Sequence, residues 1–197
     1  MTSSPVLPLT VSGALGELMV ENQRIADHFD NGAAAADSLE QAAVALKDAD
    51  RVFVLGAGRS GLALQMTAMR LMHLGLDAYV VGDATTPAIA KGDALLVASG
   101  SGTTAGILRS ATTAADVGAA VIALTTDASS PLADVATITV AVPAAQKQAH
   151  GGTLSVQYAG GLFEQSVLLV GDAIFHSLWK QSGLTADDIW PRHSNLE

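Results

Sequence analysis

The chain has 197 residues, 49% of them hydrophobic but only 4% aromatic, so its core must be built from Ala, Val, Leu and Ile. Ten basic residues stand against 19 acidic ones, and the net charge of -9 argues against a nucleic-acid-binding surface. There is no cysteine, which excludes disulfides, thiolate nucleophiles and cysteine-ligated metals.

The start, MTSSPVLPLTVSG, lacks the basic region and long apolar core of a secretion signal. No run reaches the roughly 18 apolar residues of a membrane span. The cytoplasm is the expected location. Residues 9–47 read as helical, broken near 30–38, with Asp37 or Ser38 capping the second helix. Short apolar strands are expected at 51–55 (RVFVL), 77–81 (DAYVV), 94–99 (ALLVAS), 119–125 (AAVIALT) and 137–142 (TITVAV). Helices are expected between them at 62–75, 104–118 and 131–136, the first two closing on Gly75 and Gly118. Residues 143–152 read as a loop, 158–182 as a long helix and the remainder as a polar tail.

Continuous apolar strands alternating with helices imply a parallel sheet covered on both faces. The expected fold is an α/β three-layer sandwich with a five-stranded parallel sheet in the order 2-1-3-4-5. Residues 1–48 are expected to pack as helices on the core or on a neighbouring subunit, with 49–197 as one folded unit.

Two loops carry the functional signal. The first holds G-x-G-x-x-G at Gly56, Gly58 and Gly61, after a strand and before a helix. Such a turn offers free N–H groups to an anion. With Asp83 after the second strand it fits a dinucleotide; it equally fits another phosphate, or a tight turn with no ligand. The second loop, ASGSGTTAG, places Ser99, Ser101, Thr103 and Thr104 at the end of the third strand. One hydroxyl suffices to cap a helix, whereas four suit a phosphate monoester. In the order 2-1-3-4-5 both loops flank one crevice at the topological switch point. The loop after strand two adds Thr85 and Thr86.

The strand, then SGSGTT (99–104), then helix resembles the sugar isomerase (SIS) domain. GAGRSG (56–61), AMRLMHLG (68–75), VGDATTP (81–87), LFEQ (162–165) and RHSNLE (192–197) resemble one branch of it, the 6-phospho-3-hexuloisomerases. MRLMHLG and RHSNLE discriminate this branch from other SIS domains. One departure is YAGG (158–161), where the family carries a Pro-Met-Gly-Ser/Thr-like run, so that Gly161 replaces a hydroxyl. The resemblance implies conversion of D-arabino-hex-3-ulose 6-phosphate to D-fructose 6-phosphate through an enediol, after formaldehyde fixation in the ribulose monophosphate route. It implies no metal and no organic cofactor.

That chemistry needs a base for a carbon-bound proton and donors for the enediolate. Glu164 lies in an otherwise apolar helical stretch, GLFEQSVLLVGDAIF. Periodicity alone also fits a solvent-facing Glu at a helix start; the resemblance makes it the base. His193 and His73 are the candidates for protons on oxygen. Each also fits a bland role, His193 as a solvated tail residue and His73 as a core or interface residue. Ser60, Ser99, Ser101 and Thr104 are expected to hold the phosphate, with Gly58, Arg59, Thr85, Thr86 and Thr103 also lining the site. Lys91 and Lys147 are weaker candidates. A homodimer or homotetramer is expected, with the tail able to reach a neighbouring subunit. The alternatives are another phosphosugar isomerase, such as one for arabinose 5-phosphate, a non-catalytic phosphosugar sensor and, third, a dinucleotide oxidoreductase.

Overall fold

The structure is a computed structural model and describes residues 9–147 and 154–196. Helices α1 (Val11–Asn31) and α2 (Ala33–Asp48) come first. Then β1 (Val52–Gly56), α3 (Arg59–Leu74), β2 (Ala78–Val80), β3 (Ala94–Ala98), α4 (Ala105–Asp116), β4 (Ala120–Thr125), α5 (Pro131–Val135) and β5 (Ile138–Ala141) alternate. A 3-10 turn (Tyr158–Gly160) leads into α6 (Gly161–Ser182), followed by α7 (Ala186–Ile189) and a second 3-10 turn (Trp190–Arg192).

The five strands are parallel, in the order β2-β1-β3-β4-β5, as expected. Alternate residues serve opposite faces. Val52, Val54, Leu96, Ile122 and Leu124 join one core with α2, α3 and α6. Phe53, Leu95, Val97, Val121 and Ala123 join a second core with α4 and α5. Both faces are therefore dry, which is why the strands read as unbroken apolar runs. Ile25 and Phe29 of α1 and Ala42, Ala43 and Leu46 of α2 belong to the first core. Among the described residues no helix is long and apolar enough to cross a membrane.

The break in the first helical region differs from expectation. It is one residue, Gly32, and α2 starts at Ala33 without a side-chain cap. Asp37 and Ser38 lie inside α2, where the Ser38 hydroxyl donates to the Ala35 carbonyl. A run of four alanines has enough helix propensity to start without them. The first strand-to-helix turn also closes early, because Gly58 (φ +59) lets α3 start at Arg59. Gly61 has a different task. A methyl group there would meet the Gly56 carbonyl oxygen at 2.5 Å, so only glycine lets α3 pack this closely on β1.

The tail docks on the far end of α3. Gly75 caps α3 in the left-handed region, and the Arg192 guanidinium lies over it. The His193 ring stacks between Trp190 (centroids 4.9 Å apart) and His73 (4.8 Å). His73 is buried; that burial, then the charges of His193 and Arg70, holds its pKa below the ordinary 6.5. The unfolded chain therefore binds the proton more readily than the folded one. The stability this site contributes is complete above pH 6.5 and is lost as pH falls through the depressed folded value. In a Trp179→Phe background, Trp190 fluorescence should report release of the tail below pH 6.5, and His73→Gln should remove that transition. A flat signal over that range would disprove the linkage.

Candidate active site

Residues 56 and 98 are register partners in β1 and β3, so the loops that follow these strands leave the sheet side by side. From the first loop comes Ser60, buried at the start of α3. From the second come Ser99, Ser101 and Thr104. The Ser99 and Thr104 hydroxyls lie 3.1 Å apart, and the Thr103 hydroxyl donates to Ser101 Oγ at 2.9 Å. Thr104 is the N-cap of α4 but makes no capping bond. The N–H groups of Ala105, Gly106 and Ile107 open this 12-residue helix with no earlier turn to bond. Ser60, Ser99, Ser101, Thr104 and Lys147 line one cleft of about 130 Å³. Hydroxyls, helix N–H groups and one ammonium suit a phosphate monoester.

A wider chamber adjoins the cleft, lined by Leu18, Arg59, Lys147, Gln157, Tyr158 and Glu164 among others. Gly160 (φ +83) turns the chain into α6, and Glu164 sits in that helix's first turn. Glu164 is only 9% exposed, which overturns the solvent-facing alternative. Arg59 Nε donates to Glu164 Oε2 at 2.6 Å, and Lys147 Nζ stands 3.7 Å from Oε1. Arg59 is 68% exposed and Lys147 57%, so both cations stay near water while pairing with a buried carboxyl group.

A second buried carboxylate braces this wall. Glu21 of α1 is 4% exposed. It accepts from Ser155 Oγ (2.8 Å), the Val156 N–H (2.7 Å) and the Gln157 amide (2.9 Å). Burial pushes its pKa up, but the Val156 N–H, the Gln157 amide and the Ser155 hydroxyl outweigh this and hold it below the ordinary value. Gln157 in turn exchanges hydrogen bonds with Gln165, which also accepts from Asn22. Sequence reasoning missed Glu21, because its partners lie more than 130 positions away and no local pattern marks it.

The other expected site residues fall as follows. Gly58 shapes the first turn, and Thr103 supports Ser101. Thr85 is exposed on the loop after β2. Thr86 donates to the Val80 carbonyl and lines a separate cavity with Phe53 and Arg109. His73 and His193 stack at the C-terminal end of α3, about 21 Å along the helix from Arg59. Within one chain they do not reach Glu164. His150, Glu197 and residues 148–152 of the expected loop lie outside the described residues. Among the described residues no group of three or more His, Cys, Asp or Glu could hold a metal ion.

Comparison with known proteins agrees with this architecture. The SIS domain family model matches residues 45–168, from the end of α2 through both loops to Glu164 and just beyond. A Mycobacterium gastri protein named 3-hexulose-6-phosphate isomerase is 58% identical over 147 residues, 75% of this chain and 74% of its own. A Bacillus subtilis protein of the same name is 36% identical over 162 residues, 82% of this chain and 88% of its own. The crystal structure of a hypothetical protein from Methanococcus jannaschii, described as inferring a function of 3-hexulose-6-phosphate isomerase, superposes with a TM-score of 0.80. It is 28% identical, and the match covers 93% of this chain and 99% of that one. With the family model spanning most of the chain and curated relatives this similar, the chain belongs to the SIS domain family.

Proposed function

We propose that this protein converts D-arabino-hex-3-ulose 6-phosphate to D-fructose 6-phosphate through a 2,3-enediol, as a cytoplasmic enzyme. The observation that carries this reading is the buried Glu164 carboxylate at the rim of a hydroxyl-lined cleft, in a chain 58% identical to a protein named for that reaction.

The phosphate would sit on Ser60, Ser99, Ser101 and Thr104 and on the open N–H groups of α4. The sugar would then extend into the chamber that Arg59 and Glu164 share. Glu164 takes the proton from C2, the C–H electron pair becomes the C2=C3 bond, and the C3 oxygen takes up charge and then a proton. The C2 hydroxyl next loses its proton as the C2 carbonyl forms, and Glu164 returns its own proton to C3. The reaction is redox-neutral overall. Arg59, already at the carboxylate, is placed to stabilise the enediolate oxygens. Coupled to a synthase that makes the hexulose phosphate in place, the wild-type protein should yield fructose 6-phosphate. Glu164→Gln should lower kcat by about 10²- to 10⁴-fold with little change in KM. A loss confined to KM would remove Glu164 from the role of base.

The proton on oxygen is assigned to His193, backed by His73, supplied by a partner subunit. Leu62, Met66 and Met69 form an apolar stripe on α3, each half or more exposed. A two-fold axis crossing α3 at Met66, midway between residues 59 and 73, would pair the helices antiparallel and bury this stripe. The same operation would set the partner's His73 and His193 opposite Arg59 and Glu164. Sedimentation should show a dimer or tetramer, and Met66→Glu should dissociate it with loss of activity. Mixing inactive Glu164→Gln and His193→Ala subunits should restore about a quarter of dimer activity, because half the dimers are mixed and each holds one intact site. No recovery would confine each site to one chain.

A further inference from the structure

The phosphate cleft and the Glu164 chamber share one charged side chain. Among the described residues Lys147 is the only ionisable one lining the cleft, and it also lines the chamber. It precedes residues 148–153, but its own stem is placed by packing. The Cβ of any residue at 160 would lie 3.3 Å from Lys147 Cγ, so glycine at that position leaves the passage in which the lysine runs.

The two oxygens of Glu164 are held unequally. Oε2 accepts a short bond from Arg59, and a planar guanidinium at 2.6 Å is a fixed partner. Among the described residues Oε1 has only the Lys147 ammonium, 3.7 Å away, which is an ion pair beyond hydrogen-bond length. The Lys147 side chain is 57% exposed, so its ammonium tip can turn while the base of the stem stays beside Gly160. Oε1 is thus the oxygen available to take a proton from carbon, and Lys147 screens it. A phosphate dianion in the adjacent cleft, whose other described lining residues are neutral, offers the ammonium a more highly charged partner.

We infer that Lys147 is a shared catalytic cation, paired with Glu164 in the empty site and drawn to the substrate phosphate on binding, so that filling the cleft uncovers the base. This rests on the proposed isomerase reading and adds to it a way for the non-reacting phosphate to accelerate chemistry several carbons away.

The test is the ratio of kcat/KM for hexulose 6-phosphate to that for the unphosphorylated hexulose. In Lys147→Ala and Lys147→Met this ratio should fall by about 10- to 100-fold, while Lys147→Arg should keep most of it. Lys147→Met retains the stem across Gly160 and removes only the charge. By calorimetry, inorganic phosphate should bind wild-type protein about tenfold or more tightly than Lys147→Met. A ratio that stays at the wild-type value in Lys147→Met overturns the inference, as does equal phosphate affinity. If the wild-type protein makes no fructose 6-phosphate, the isomerase reading fails by itself, and the phosphate titration still decides whether Lys147 serves the cleft.

Discussion

The pairing of β1 with β3 is the constraint on which the site depends. These strands are not neighbours in sequence, yet Gly56 and Ala98 are register partners. A parallel sheet sends every strand end to the same edge, and here two helices leave that edge toward opposite faces. The crevice between them receives Ser60 from one helix start and the Ser99–Thr104 hydroxyls from the other. The close contact of Gly61 with Gly56 holds α3 against β1, so Arg59 and Ser60 are placed by backbone packing.

The electrostatics of the site follow from one expensive residue. α6 is apolar along most of its length, and a carboxylate 9% exposed within it needs partners. Arg59 comes from the glycine turn and Lys147 from the loop after β5, both from the water side. The arrangement gives Glu164 two ionic partners without burying a cation, which avoids the larger desolvation cost of a fully internal pair. Glu21 repeats the solution with neutral donors, and through Gln157 and Gln165 it fixes the turn before α6.

Much of this was legible in the chain. The covered parallel sheet and the two functional loops followed from apolar runs, helix-closing glycines and clustered hydroxyls, which are local signals; the strand order rested on resemblance to the SIS domain. The burial of Glu164 was not local: periodicity allowed a solvent-facing residue, and only the packing of α3 on α6 decided otherwise. The Asp37 and Ser38 caps failed because a single glycine interrupts an alanine-rich helix. Thr86 looked equivalent to the other loop hydroxyls, but its hydroxyl is bound to the Val80 carbonyl and it lines a separate cavity. Lys147 seemed weak because nothing in its neighbours along the chain reveals that it stands beside residue 164.

Glu21 and its partners are separated by 134 to 136 positions, among the longest separations bridged by side-chain hydrogen bonds here. Closing so long a loop is entropically costly until the intervening sheet exists. The hydroxyl cleft draws its Ser and Thr from residues 60–104, whereas the carboxylate and its brace require the first and last thirds of the chain to meet. A ribosome therefore delivers the hydroxyls of the phosphate cleft well before Lys147 and the proton-moving half of the site. Any fragment that stops short of α6 carries the cradle's hydroxyls but lacks Phe163, which closes the cleft, as well as the base.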